Sequence, residues 1–450
     1  MINRLFGTDG IRGEANRPPM DAMTAFSVGQ ALTYILKKQG HKTHIIIGKD
    51  TRISGYMVES SLEAGITSMG GNPYLVGVLP TPGISFITQS MRADAGIMVS
   101  ASHNSYQDNG IKIFSGDGYK LSDDMERMIE MLVHEASLPE KVPLPREMGQ
   151  AKRLSDVFGR YIVFLKSSFP RNLSMEGLKV VIDASNGATY KIAPDTFQEL
   201  GAYVEVINNK PNGININEKC GSQHIQNLAK RVIDRGASVG LAFDGDGDRL
   251  IAVDEKGKKI TGDQILIICS KMLKEQGRLN NNLVVSTVMS NLGLQIACRR
   301  LGFVNHSSQV GDRYVLEDML RLGAVIGGED SGHTIFLDHH TTGDGILTGL
   351  QLIAAMMTSG KPLSELAQLM DIYPQKLVNI KVNKKPLITT VPQIMDAITQ
   401  AEKDLGDEGR VLVRYSGTRD VCRVMVEGPT NELTETICGQ IADVVMAALG

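Results

Sequence analysis

The sequence predicts an α/β protein with three similar α/β domains in tandem and a smaller C-terminal α+β domain. Two patterns carry that reading. Short apolar, β-rich runs alternate with helix-period segments in three successive series, and after about residue 370 the order changes to strand, helix, strand, strand, helix. A length of 450 residues suggests about three domains, each able to bury its own core.

The first series places strands at 44–47, 74–78 and 95–99. A crossover helix at 21–38 carries Ala22, Phe26, Gly29, Leu32 and Leu36 on one face, with Asp21 as N-cap and Gly40 just past the end. The second series has strands at 178–183, 203–207 and 239–243, the third at 283–287, 303–306 and 324–326. Pro139, Pro143 and Pro145 break the periodicity between the first two, which predicts a linker over 134–156. The polar stretch 254–259 is either a boundary between the second and third domains or a hairpin turn. The last region reads as strands at 377–382, 411–414 and 421–427, with helices at 394–405 and 433–449. The expected domains are 1–150, 151–256, 257–370 and 371–450.

Charge excludes one class of function. Lys and Arg number 47 against 50 Asp and Glu, a net −3 with both signs spread along the chain, so no field exists to attract nucleic acid. Five cysteines, an odd number with no CxxC, fit a reducing cytoplasm. No apolar run approaches the ~18 residues of a membrane span, and the N-terminus lacks the apolar core of a secretory signal. A cytoplasmic protein that stays off the membrane is expected. The 47 glycines, about a tenth of the chain against the usual ~7%, imply many tight loops.

Ligands of open α/β sheets bind at the carboxyl ends of strands. Four predicted strands end in polar loops: Gly48-Lys49-Asp50-Thr51-Arg52-Ile53-Ser54-Gly55, Ser100-Ala101-Ser102-His103-Asn104, Asp244-Gly245-Asp246-Gly247-Asp248-Arg249, and Gly327-Gly328-Glu329-Asp330-Ser331-Gly332-His333. In the third, carboxylates at i, i+2 and i+4 point one way while the glycines let the backbone curl, so the oxygens converge on a hard cation such as Mg²⁺. A solvated acidic turn is disfavoured, because three acids directly after an apolar strand repel one another. An EF-hand frame from Asp244 reaches Glu255 at position 12 but has Arg249 where glycine is required. A phosphatase using Asp244 as nucleophile would leave Ser102 without a task. Ser102 by itself reads as a helix N-cap; beside a metal loop and Arg249 it reads as a phosphoryl carrier. His333 is either a packed structural ring or part of the site, and His134, His339 and His340 are expected at the surface. Near the C-terminus, Arg414-Tyr415-Ser416-Gly417-Thr418-Arg419 through Arg423 gathers donors that suit a phosphate monoester. No Walker loop and no dinucleotide fingerprint occurs.

Together these loops resemble the α-D-phosphohexomutase superfamily. Phe6-Gly7-Thr8-Asp9-Gly10-Ile11-Arg12-Gly13, 100–104, 244–249 and 328–333 fall in the family's order and spacing, while Cys220-Gly221-Ser222, Val310-Gly311-Asp312-Arg313-Tyr314-Val315 and Thr341-Thr342-Gly343-Asp344-Gly345 are similar to its glucosamine branch. The resemblance implies three α/β domains and a TATA-box-binding-protein-like fourth domain around a central cleft. It makes Ser102 the phosphoserine and, with Asp244, Asp246 and Asp248, a ligand of one Mg²⁺. Arg12 and Arg249 steady the travelling phosphoryl group, and Lys112 and His333 exchange protons with sugar hydroxyls. Glu329 and Ser331 hold ring hydroxyls beside Gly311, Asp312 and Arg313, while Arg414, Ser416, Gly417, Thr418 and Arg423 grip the phosphate that is not reacting.

The implied reaction interconverts glucosamine 6-phosphate and glucosamine 1-phosphate through glucosamine 1,6-bisphosphate, feeding UDP-N-acetylglucosamine synthesis. An amino-sugar phosphate is then the small-molecule partner, and a homodimer is compatible with the family. Phosphoglucomutase and phosphomannomutase activities, and a Ca²⁺-responsive module, stay as alternatives. One departure stands out. The family usually continues Ser-Gly-Thr with Glu-Pro, whereas this chain has Arg419-Asp420, an arginine expected to point outward and pair with Asp420.

Overall fold

A computed structural model of the chain describes residues 4–7, 9–135, 138, 142–416 and 420–450. The strands form four sheets in chain order. The first holds β1 (Ile11–Glu14), β2 (His44–Lys49), β3 (Asn72–Val78), β4 (Ala95–Val99), β5 (Asp108–Ser115) and β6 (Lys152–Arg153), in spatial order β1-β5-β4-β2-β3-β6. The second holds β7 (Lys179–Asp183), β8 (Tyr203–Ile207), β9 (Val239–Phe243), β10 (Leu250–Asp254) and β11 (Lys259–Ile260), in the order β11-β10-β9-β7-β8. The third holds β12 (Leu283–Thr287), β13 (Val304–Ser308), β14 (Ile326–Gly328) and β15 (Thr334–Phe336), in the order β13-β12-β14-β15.

These three sheets repeat one motif. Three parallel strands lie with the first between the second and third, and an antiparallel strand is added beside the third. Chain direction away from the sheet reverses beside the first strand, and that is where loops at the strand ends leave a crevice. The fourth sheet is antiparallel, β16 (Gln375–Lys381), β18 (Val421–Glu427) and β17 (Arg410–Tyr415), backed by the helices Pro392–Leu405 and Asn431–Leu449.

The parallel strands read as continuous apolar runs because helices cover both faces; Ile45, Ile46 and Ile47 are all buried. The helix Ala22–Lys38 starts at Asp21, whose side chain accepts from the Thr24 N–H at 2.7 Å. It packs unusually close to the helix Gly55–Ser68, since a Cβ on Gly65 would lie 2.1 Å from the Phe26 carbonyl oxygen. The helix Gly345–Ser359 is apolar all round and buried, and it packs against the helix Gly262–Glu275 and strands β9, β10 and β15.

Contacts divide the chain into two units, 1–288 with 304–368 and 289–303 with 369–450. The helix Leu292–Leu301 therefore belongs with the fourth sheet: Glu427 accepts from Asn291 Nδ2 at 3.1 Å and from the Leu292 N–H at 3.0 Å.

Within the segment 134–156, expected to be a linker, residues 149–153 dock on the first sheet. β6 extends the first sheet beside β3, and Gly149 donates to the Thr67 carbonyl while a Cβ on it would meet Gly71 at 1.6 Å. The stretch 254–259 is a hairpin turn, with β11 paired to β10. In the third series the last strand begins at Ile326, two residues after the expected start.

Candidate active site

The serine loop follows β4, and its geometry is fixed before any ligand arrives. Ser102 is buried with φ +53°, and its hydroxyl donates to Asp244 Oδ2 at 2.6 Å and lies 3.3 Å from His103 Nδ1. The sheets thus bring together two loops separated by 142 residues.

The Asp244–Arg249 loop turns between β9 and β10, both strands, and Glu255 bonds Ser364 instead of reaching back, so the EF-hand frame is excluded. Asp244, Asp246 and Asp248 are buried with candidate ligand atoms within 4.8 Å of one another. Asp246 Oδ1 and Asp248 Oδ1 have no hydrogen-bond partner. Burial first, then the Asp248 and Asp246 charges, raises Asp244 well above the carboxylate range. Buried orphan oxygens on mutually repelling carboxylates, with no nitrogen or sulfur donor in the set, fit a hard divalent cation.

Cations line the other side. Lys112 on β5 is buried and donates to Asp246 Oδ2 at 2.9 Å and Asp248 Oδ2 at 3.3 Å, with Asp9 at 3.1 Å. Burial opposes its charge, yet the three carboxylates hold it protonated well above its usual range. Arg249 Nη1 bonds His103 Nδ1 at 3.1 Å, and Arg12 pairs with Asp9. The Nε atoms of both arginines are buried and without a hydrogen-bond partner. Burial and the Arg249 and Arg12 guanidiniums push the His103 pKa down to about 4, leaving a neutral ring.

His333 is buried, with Nδ1 3.7 Å from Asp248 and Nε2 3.7 Å from Asp312. Gly343 donates to Nε2 at 3.2 Å, and a Cβ there would fall 2.4 Å from the ring. Asp312 and Asp9 are bridged by Lys120. Glu329 accepts from the Gly311 N–H at 3.0 Å, and Ser331 Oγ is buried without a partner.

The Arg313 guanidinium pairs with Asp123, Glu126 and Glu317 and donates to the Leu121 carbonyl. His340 is not a surface residue. It is buried, its Nε2 2.9 Å from the Pro82 carbonyl, and burial drops its pKa to about 4. His134 is exposed.

In the other unit, Arg414 on β17 and Arg423 on β18 sit directly opposite each other, so these guanidiniums belong to strands and not to one turn. Burial and the Arg423 charge lower the Arg414 pKa, and Arg423 Nε is buried without a partner. Ser416 closes the hairpin through its N–H to the Val421 carbonyl at 2.8 Å. Gly417, Thr418 and Arg419 lie outside the described residues. Asp420, the expected partner of Arg419, pairs with Lys385 at 3.0 Å.

Comparison with known proteins agrees with this geometry. Four models described as phosphoglucomutase/phosphomannomutase match in order: alpha/beta/alpha domain I over 3–140, domain II over 159–257, domain III over 261–373, and the C-terminal domain over 377–444. The chain is 71% identical to the phosphoglucosamine mutase of Syntrophobacter fumaroxidans and 58% identical to that of Syntrophus aciditrophicus, in each case over all of both chains. The chain belongs to the phosphoglucosamine mutase family. As a member it is an isomerase of the α-D-phosphohexomutase superfamily.

Among solved structures, a phosphoglucomutase/phosphomannomutase family protein from Burkholderia thailandensis superposes with TM-score 0.83 at 24% identity, covering 100% of this chain and 98% of that one. The N-acetylphosphoglucosamine mutase of Aspergillus fumigatus, solved with GlcNAc-6P and magnesium, gives 0.70 at 16% identity, covering 99% and 96%. Both likenesses concern the fold. No helix among the described residues is long and apolar enough to cross a membrane, and all five cysteines are buried.

Sequence reasoning did not single out Asp9, Lys120, His103, Arg52 and Asn217, which the fold brings to this cluster. Asp9, His103 and Arg52 stand inside motifs already singled out. Lys120 and Asn217 carry no local signal, because their partners lie 111 or more residues away.

Proposed function

We propose that the chain interconverts glucosamine 6-phosphate and glucosamine 1-phosphate, with Ser102 carrying the phosphoryl group and glucosamine 1,6-bisphosphate as the intermediate. The observation that carries this reading is the Ser102 hydroxyl 2.6 Å from Asp244, at the edge of a buried carboxylate cluster with two orphan oxygens. Phosphoserine 102 would give its phosphoryl group to the sugar hydroxyl, the bisphosphate would turn over, and the other phosphate would return to Ser102.

Asp244, Asp246, Asp248 and Ser102 would hold one Mg²⁺, which when bound supplies charge neutralisation for the phosphoryl oxygens. Arg12 and Arg249 bring guanidinium donors whose Nε atoms await an acceptor. Lys112 and His333 would exchange protons with the sugar hydroxyls, and Glu329 and Ser331 would orient the ring. Arg414 and Arg423, with 416–418, would hold the second phosphate: two facing guanidiniums repel each other until an anion lies between them.

A coupled assay on glucosamine, glucose and mannose 6-phosphates, with intact-mass analysis of the resting enzyme, tests this. Highest kcat/KM for the glucosamine ester and one labile phosphate on Ser102 support it. Preference for glucose or mannose reassigns the substrate, and label on Asp244 moves the chain to phosphatase chemistry.

A further inference from the structure

A serine with φ +53° occupies backbone space that L-residues rarely adopt, so its surroundings must hold it there. The N–H of Ser102 donates to Ser100 Oγ at 2.9 Å, which in turn donates to Asp50 at 2.7 Å. On the other side, the Ser102 carbonyl accepts two bonds, from Arg52 Nη2 at 2.9 Å and from Asn217 Nδ2 at 2.9 Å. The Asn104 carbonyl accepts from the same two nitrogens, each at 2.9 Å.

Arg52 comes from the loop after β2, in the same domain as Ser102. Its side chain is fully buried, with Nε on Asp50 and Nη1 on the Ser105 and Asp108 carbonyls. Asn217 comes from the second domain, in the arm between β8 and the helix Gln226–Arg235. Its own N–H donates to the Ser185 carbonyl at 2.9 Å, which ties the arm to the loop after β7. The arm meets the first domain again where the Ile53 N–H donates to the Gly213 carbonyl at 2.9 Å.

Gly245 of the acidic loop packs against this junction. A Cβ there would lie 2.5 Å from the Ser102 carbonyl oxygen and 2.8 Å from Asn217 Nδ2. Asn217 therefore touches both the loop that presents the serine and the loop that presents the aspartates, although it carries no charge and points at no reacting atom.

We propose that Asn217 is a positioning residue that sets the register of Ser102 against Asp244, Asp246 and Asp248 across the boundary between the first two domains. The inference rests on Ser102 being the phosphoryl carrier. In-line transfer depends on placement, so a displacement of the serine by about 1 Å costs on the order of a hundredfold in rate without altering how the sugar is gripped.

Two substitutions test this without disturbing the backbone. Asn217 has φ +59°, so Asn217→Gly removes the amide at a position glycine tolerates, and Asn217→Asp keeps the shape while turning an acceptor toward two carbonyl oxygens. The expected result is a kcat lower by about tenfold to a hundredfold in Asn217→Gly and lower still in Asn217→Asp. KM for the sugar phosphate should stay within about twofold, and the melting temperature close to that of the parent. The rate at which a sugar 1,6-bisphosphate phosphorylates Ser102, followed by intact mass after rapid quench, should fall in proportion to kcat.

A kcat within twofold in Asn217→Gly overturns the proposal. So does a KM rise with kcat unchanged, or a kcat loss accounted for by the unfolded fraction. Ser102→Ala, run alongside, keeps the two readings apart: if that variant stays active, the carrier assignment has failed, whereas an inactive Ser102→Ala beside an unaffected Asn217→Gly sinks the positioning role alone.

Discussion

The serine loop and the acidic loop meet over 2.6 Å, yet they are built on opposite principles. In the serine loop the backbone groups that set the nucleophile's position are paired: the Ser102 N–H and carbonyl are bonded, and Arg52 beneath them has every nitrogen engaged. In the acidic loop two buried carboxylate oxygens have no hydrogen-bond partner, and like charges crowd together. A buried polar atom without a partner costs about 1–3 kcal/mol, more when charged, so a folded chain keeps such atoms where a ligand repays them. On the proposed function, the satisfied loop positions the serine and the frustrated one receives the cation.

The contrast breaks first at the nucleophile. If Ser102 carries the phosphoryl group as proposed, Ser102→Ala deletes the covalent step while leaving its backbone clamps in place, so turnover should fall by about four orders of magnitude or more with little change in melting temperature. A residual rate within about tenfold of the parent would mean that the phosphoryl group travels elsewhere.

The acidic loop should answer with opposite signs in activity and stability. Asp246→Asn, or exhaustive chelation, should lower turnover by a hundredfold or more while circular dichroism stays native. In metal-free protein, Asp244→Asn should raise the melting temperature, because it relieves the repulsion that the neighbouring carboxylates impose on Asp244. Added Mg²⁺ at about a hundred times its dissociation constant should stabilise the parent by roughly 2.7 kcal/mol and the Asp244→Asn variant by much less. Equal shifts in both proteins would remove the cation from this cluster.

The same distinction, paired against orphaned, sorts the arginines of the C-terminal hairpin. Arg410 is paired to Glu427 at 2.5 Å, whereas Arg423 faces Arg414 and keeps a buried Nε without a partner. Arg423→Ala should therefore raise KM by tenfold or more, about 1.4 kcal/mol or above, with a smaller effect on kcat. A change below twofold would make the pair structural.

Much of this was legible in the chain itself, and for a physical reason. Strands buried on both faces are written as unbroken apolar runs, so 95–99, 239–243 and 283–287 are read to the residue as β4, β9 and β12. The loops that follow them, and so Ser102 and the three aspartates, come with the strands. Two-residue strands such as β6 have no period to read, and the motif around Arg313 does not reveal that Glu126, 187 residues away, will share its guanidinium. Lys120 and Asn217 were invisible for the same reason: each acts through partners that only the fold brings near.

The smallest effect is expected where the chain departs from its family. Arg419-Asp420 replaces the usual Glu-Pro, which removes a φ-restricting ring and adds a guanidinium next to the phosphate-binding hairpin. If that guanidinium gripped phosphate, it would add a charge-assisted bond worth about 1.5–3 kcal/mol before solvent weakens it. Arg423 already supplies a cation on β18, so removal of Arg419 is expected to cost little; Asp420, the neighbour expected to pair with Arg419, is bonded instead to Lys385 at 3.0 Å. Arg419→Ala should change KM by less than twofold. A rise beyond about tenfold, roughly 1.4 kcal/mol, would make Arg419 a phosphate ligand and give this hairpin a grip its relatives with Glu-Pro lack.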